Sequence, residues 1–229
     1  MGMVEVIGEI IPNDFGWIYD WLGWDNTTPN KIKAAIAELK DGEELEVRIN
    51  SPGGDVASGQ EIYSLLQTVP STAKIMGMAA SAAGFLAMGC DRVEISTVGT
   101  IMVHNVWCGG VSGDYHEMDK ASRMLKSLNA SIASAFVAKS GKSEAEILKM
   151  MDRETWLTAN QAVEIGICDA IIGEPDGAPG RYSNSLFGMS ITPELIEKAK
   201  AAKKAKEEKE AQDRARAEGL TADLELYGI

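Results

Sequence analysis

An α/β fold with parallel strands is predicted by three features of this 229-residue sequence. Short apolar runs alternate with segments of helical period, a glycine-rich corner joins strand to helix, and no continuous apolar stretch is long enough to cross a membrane. Glu5 to Ile11 reads as the first strand. Pro29 to Leu39 is an amphipathic helix, with Ile32, Ala35, Ile36 and Leu39 on one face. Leu45 to Ile49 alternates apolar and polar residues, as a strand does. Gly59 to Val69 is a helix that turns Ile62, Leu65, Leu66 and Val69 inward. Ala73 to Met78 is a strand, and Ala82 to Met88 a short apolar helix. Val93 to Ile95 and Ile101 to Val103 are further strands, and Glu117 to Ala138 and Ser143 to Met151 are helical. Such alternation requires right-handed crossovers between parallel strands.

Composition narrows the functions. A formal net charge of −12 argues against a nucleic-acid partner, because phosphate binding needs a basic surface. The N-terminus, MGMVEVIGEI, has no basic segment followed by an apolar run, so no secretory leader, membrane anchor or long pro-segment is expected there. Cys90, Cys108 and Cys168 are odd in number and widely spaced, which predicts buried free thiols in a reducing, cytoplasmic setting and no zinc site.

Two domains are expected, residues 1–186 and 187–229. Gly173 to Gly180 is turn-rich and reads as a linker. Beyond it, Thr192-Pro193-Glu194 is a helix start, and the following Ala, Lys, Glu and Arg residues form i,i+4 pairs such as Glu194–Lys198, Lys203–Glu207, Lys204–Glu208, Lys206–Glu210 and Lys209–Asp213. With no sustained apolar seam, this charged tail reads as a solvated or partly disordered helix.

The residues that carry chemistry fall in three places. Ile49-Asn-Ser-Pro-Gly-Gly-Asp55 joins a strand to a helix, and paired glycines let a substrate backbone come close to exposed amides. In Met78-Ala-Ala-Ser81-Ala-Ala-Gly84 a serine sits where a strand ends and a helix of small residues begins, so the helix N-terminus lends positive potential beside the hydroxyl. His104 follows the apolar run Ile101 to Val103; His116, the second of two histidines, lies in a polar stretch and reads as a surface residue. Alone, Ser81 would be a helix cap and His104 a packed strand-end histidine.

In this order the three motifs resemble the Clp protease proteolytic subunit, and Glu154 to Ala170 is similar to that family's final helix and strand. The resemblance covers roughly residues 4 to 172. It implies a ClpP/crotonase-like spiral of ββα units with a helical handle, here followed by the charged tail. It implies that Ser81 is a nucleophile, that His104 is its general base, and that the Gly54 and Ala82 amides form an oxyanion hole, with no metal or cofactor. The family has an aspartate where this chain has Glu154; Asp152 is the competitor for the third triad position. Glutamate can hold an imidazole in one tautomer, but its longer side chain must start from a different backbone distance.

The resemblance also implies a polypeptide substrate and a homo-oligomeric ring. An AAA+ ATPase is the partner of a housekeeping-type subunit. The charged tail and the unusual segment Asn105 to Asp114 are more similar to the phage branch, whose head-maturation proteases cut capsid or scaffold protein. Asn105 to Asp114 is expected to form the extended handle strand where rings meet. Phe15, Trp17, Tyr19, Trp21 and Trp24 either pack a core or form an oligomer or substrate surface. A crotonase-type acyl-CoA enzyme, a serine–lysine hydrolase like the signal-peptide peptidases, and an inactive ring scaffold are the competing readings.

Overall fold

The computed structural model describes residues 1–172, 197–198 and 200–209. The chain divides into two units, the first holding residues 1–172 and the second the described tail. In the first, β1 (Gly2–Ile10), α1 (Gly16–Leu22), β2 (Asn26–Thr27), α2 (Pro29–Ala37), β3 (Leu45–Gly54), α3 (Val56–Leu66), β4 (Ser71–Ala80) and α4 (Ala82–Ala87) follow one another. Then come β5 (Arg92–Ser96), β6 (Thr100–Val103), α5 (Tyr115–Ser140), α6 (Glu144–Asp152), β7 (Thr155–Thr158), α7 (Ala159–Glu164) and β8 (Ala170–Ile172). Among the described residues, no helix is long and apolar enough to cross a membrane.

The sheet runs β2-β1-β3-β4-β5-β8, all parallel, and it branches at β4. The first half of β4, Thr72 to Ile75, pairs with β5, while Met78 to Ala80 pair with β6. The branch places two strand ends side by side, and the serine and histidine motifs sit on them. Contrary to an all-parallel expectation, β6 pairs antiparallel with β7, from Thr100↔Thr158 to Val103↔Thr155. The long α5 and then α6 intervene and bring the chain back from the opposite direction.

The core lies between this sheet and α2, α3, α4 and the end of α5. Ile32, Leu45, Ile49, Ile62, Leu66, Ile75, Leu86, Ile95 and Ile101 are fully buried. Each such side chain contributes about 1.5–3 kcal/mol. The helices begin where the sequence provides caps: Thr28 before Pro29, and Ser143 and Thr158 in capping boxes with Glu146 and Gln161. Of the 26 residues of α5, Ile132, Ala133, Ala135 and Phe136 are the buried ones, so its first half projects as a helical handle.

Several expectations need correction. Asn105 to Asp114 is irregular, not a strand. Gly110 and Gly113 have positive φ, and among the described residues no neighbouring strand supplies a ladder. Cys90 and Cys168 are buried, but Cys108 is exposed on this segment. The aromatic stretch forms α1: Tyr19 is buried and donates its hydroxyl to Glu9 Oε2, whereas Trp21 is exposed. Helix α3 starts at Val56, three residues earlier than expected, because Asp55 caps it.

In the second unit, residues 197–198 and 200–209 are helical, with Lys204 Nζ 3.8 Å from Glu208 Oε1 and Lys200 Nζ 3.1 Å from Glu197 Oε1. The linker, the Thr192 start signal, the 186/187 boundary and the pairs with Glu194, Glu210 and Asp213 lie outside the described residues.

Candidate active site

Five of the six residues from Asn50 to Asp55 have a local task. Between Ile49 and Ser51 the β3–β4 register slips, and Asn50 Oδ1 fills the gap by accepting the Met78 N–H at 3.2 Å. Ser51 Oγ donates to Gly8 O at 2.6 Å and accepts the Gly53 N–H at 3.1 Å, which ties the corner to β1. Asp55 Oδ1 accepts both the N–H and the hydroxyl of Ser58, at 2.8 and 2.6 Å, and so opens α3. The glycines are sterically required. At Gly53, φ is +93°, and a Cβ would lie 2.5 Å from Ala80 O and 2.7 Å from Ser81 Cβ. At Gly54, φ is +149°, and a Cβ would lie 2.2 Å from Ile10 O.

The Asp55 N–H bonds Ile10 O on the β1 side at 2.7 Å. Gly54 and Ser81 line the same cleft. Ala82 opens α4, and an N–H at that position has no acceptor within the helix.

Ser81 itself is in a rarely populated backbone conformation, φ 55° and ψ −121°. Such a conformation costs on the order of 1–3 kcal/mol, so the surroundings must impose it. Its N–H donates to Met102 O at 3.0 Å, and its C=O accepts the Gly84 N–H at 3.0 Å. The side chain makes no capping bond to the helix, which sets aside the helix-cap role. Instead, Ser81 Oγ is 2.7 Å from His104 Nε2. The β4–β6 register, Ala80↔Met102, brings the two together. Ser81, His104 and Gly54 share a cleft of about 390 Å³ with Val56, Phe85, Val106, Trp107, Ile132 and Phe136.

Burial lowers the His104 pKa from its ordinary value, partly opposed by the negative charge of Glu154. The imidazole is therefore predominantly neutral at pH 7, as a proton acceptor must be. Extending the antiparallel β6–β7 register one step past Val103↔Thr155 places Glu154 across from His104. Glu154 is exposed and has φ +48°. It makes no hydrogen bond to His104 among the described contacts, so it acts on the imidazole through space. Asp152 is engaged elsewhere: its Oδ1 accepts Asn105 Nδ2 at 2.8 Å. His116 is exposed, its ring against that of Tyr115.

The sequence reading missed Asn105, Trp107 and Asn129. Asn129 Oδ1, on α5, accepts the Val106 N–H at 2.8 Å and so holds the chain just beyond His104. No local pattern flags these residues, because their roles arise from contacts across 23 to 47 positions of sequence.

The Clp protease family model matches residues 24–175, a span that contains all five of the candidate residues above. The ATP-dependent Clp protease proteolytic subunit 1 of Protochlamydia amoebophila is 37% identical over 142 residues, 59% of this chain and 68% of that protein. The subunit 1 of Chlamydia trachomatis is 31% identical over 136 residues, 57% of this chain and 71% of that protein. The proteolytic subunit of Bacteroides fragilis is 29% identical over 155 residues, 65% of this chain and 74% of that protein. With the family model spanning well over half of the sequence and the fold assembling its motifs around one cleft, the chain belongs to the Clp protease family.

Proposed function

We propose that the chain is a serine endopeptidase in which Ser81 is the nucleophile and His104 the general base. The observation that carries this reading is the 2.7 Å approach of Ser81 Oγ to His104 Nε2 at a strained strand-to-helix turn. His104 takes the hydroxyl proton as Oγ attacks a peptide carbonyl, and the carbonyl oxygen gathers negative charge between the Gly54 and Ala82 amides. The C–N bond then breaks, and the imidazolium passes its proton to the leaving amine. Water, deprotonated by His104, hydrolyses the acyl-enzyme and restores Ser81. Glu154 stabilises the imidazolium electrostatically. Each oxyanion donor is worth about 10²–10³-fold in rate.

The test is labelling with a fluorophosphonate followed by identification of the modified peptide. Label on Ser81, absent in Ser81→Ala, supports the peptidase. A properly folded protein that takes no label and cleaves no peptide would instead leave an inactive scaffold or an acyl-CoA enzyme of the same fold.

The biological setting follows from the same reading: a cytoplasmic homo-oligomeric ring that processes phage capsid or scaffold protein. The support is the charged tail and the irregular Asn105 to Asp114 segment, both departures from the family pattern. A second reading, degradation in partnership with an AAA+ ATPase, is favoured by the relatives, whose names describe ATP-dependent Clp subunits. ATP-stimulated degradation of a folded substrate with a Clp ATPase present would select the second; cleavage of scaffold protein without ATP would select the first.

A further inference from the structure

The bond between Asn105 and Asp152 stands out because of what lies on either side of it. Asn105 directly follows His104, and Asp152 precedes Glu154 by two residues. The antiparallel β6–β7 ladder ends at Val103↔Thr155, so neither His104 nor Glu154 is held by a rung of it. Past that end, Asn105 Nδ2 donates to Asp152 Oδ1 at 2.8 Å and joins the chain beyond β6 to the end of α6. Between ladder and clamp, the Glu154 backbone takes φ +48° just past the end of α6, where its N–H bonds Met151 O at 3.1 Å, a left-handed helix ending.

The two halves of the Asn105 amide are in unequal positions. Its Nδ2 is used on Asp152. Its Oδ1 is the buried side-chain polar atom, among the described residues, that has no hydrogen-bond partner. An asparagine whose acceptor is left buried and unpaired adds little to stability, so its use must lie in what the donor holds. Asp152 is exposed and would be rehydrated if the bond were lost.

We infer that Asn105 is a positioning residue: it clamps the turn carrying Glu154 to the strand carrying His104, and keeps that carboxylate close enough to act on the imidazole. Asp152 is then the anchor of the clamp and not the triad acid. This rests on the peptidase reading for its catalytic consequence, but not for its structural one. The charged residues of this turn are Asp152 at the end of α6, Arg153 and Glu154; Asn105 itself is neutral, so replacing it alters geometry without altering charge.

The test is Asn105→Leu, which removes the donor and the unpaired acceptor together. Thermal stability should be unchanged or raised, while kcat falls about 10-fold with KM unchanged. Because the chain has two histidines, the His104 titration can be followed directly by NMR, with His116→Gln identifying the signal. Its pKa should move down, as the carboxylate that raises it drifts away. In a Glu154→Gln background the same change should have almost no further effect on kcat or on the His104 titration. An unmoved His104 titration, or an equal loss in the Glu154→Gln background, would overturn the clamp. A titration shift in Asn105→Leu, with no turnover or Ser81 labelling in the wild-type protein, would leave the clamp standing and remove the peptidase reading.

Discussion

The two sides of the cleft are built differently. On the Ser81 side, everything is enclosed: Ala82 to Met88 are buried, Gly53 lies against the serine backbone with no room for a Cβ, and a Cβ on Gly59 would come within 2.7 Å of Phe85 Cζ. On the side that follows His104, Trp107 is 75% exposed, Cys108 is exposed and Glu154 faces solvent. There the chain is held by individual side-chain bonds, Asn105 to Asp152 and Val106 to Asn129. The contrast teaches that the hydrophobic core sets the Ser81–His104 pair, whereas Glu154 and the outer wall of the cleft depend on a few polar contacts. Loss of one such contact should therefore tune activity without unfolding the chain.

The largest expected effect is that of Ser81→Ala, which should lower peptide turnover by at least about 10⁴-fold with no loss of folded protein by circular dichroism. Gly53→Ala attacks the enclosed side through its backbone. A new Cβ within 2.5 Å of Ala80 O, at φ +93°, should cost about 3 kcal/mol in a denaturant titration and abolish most turnover. If Gly53→Ala were fully active, the close packing of corner against nucleophile would not matter.

On the open side, Glu154→Gln should cost less, about 10–100-fold in kcat, because the carboxylate is solvated and not bonded to the imidazole. The sign of its pH effect is fixed. Burial lowers the His104 pKa below 6.5 and Glu154 raises it, so removing the charge lowers it further. The acid limb of kcat/KM, which reports deprotonation of His104, should lie below pH 6.5 and move to still lower pH in Glu154→Gln. Stability follows the same linkage: below the unfolded value, the unfolded chain takes up a proton that the fold resists, so stability is lost as the pH falls through that range. An unchanged kcat together with an unshifted limb would mean that Glu154 has no part in the chemistry.

The smallest effect on activity is expected at Glu46, a buried carboxylate on β3 away from the cleft. Lys74 Nζ and Arg48 Nε each approach it at 2.6 Å, and the hydrogen bond from Lys74 is the main reason its pKa is lowered. Glu46→Gln should reduce stability by about 1–2 kcal/mol above pH 4.5, less below it, and leave turnover unaltered. A matching loss of turnover would show that the two sides of the molecule are coupled more tightly than their contacts imply.

By itself, the sequence determined the alternation of strands and helices, the capped helix starts and the Gly-Gly corner, and it singled out Ser81 and His104 as candidates. These are legible because periodicity, caps and glycine sterics act between residues close together in the chain. It could not determine that Asn105 to Asp114 lacks a strand, since a strand exists only when something pairs with it. It favoured Glu154 over Asp152 through the resemblance alone, the two being two residues apart and chemically alike. The tertiary structure separated them, because the antiparallel return of β7 against β6 carries one toward the imidazole and leaves the other to Asn105. Register between distant segments is a property of the packed sheet, and no local preference encodes it.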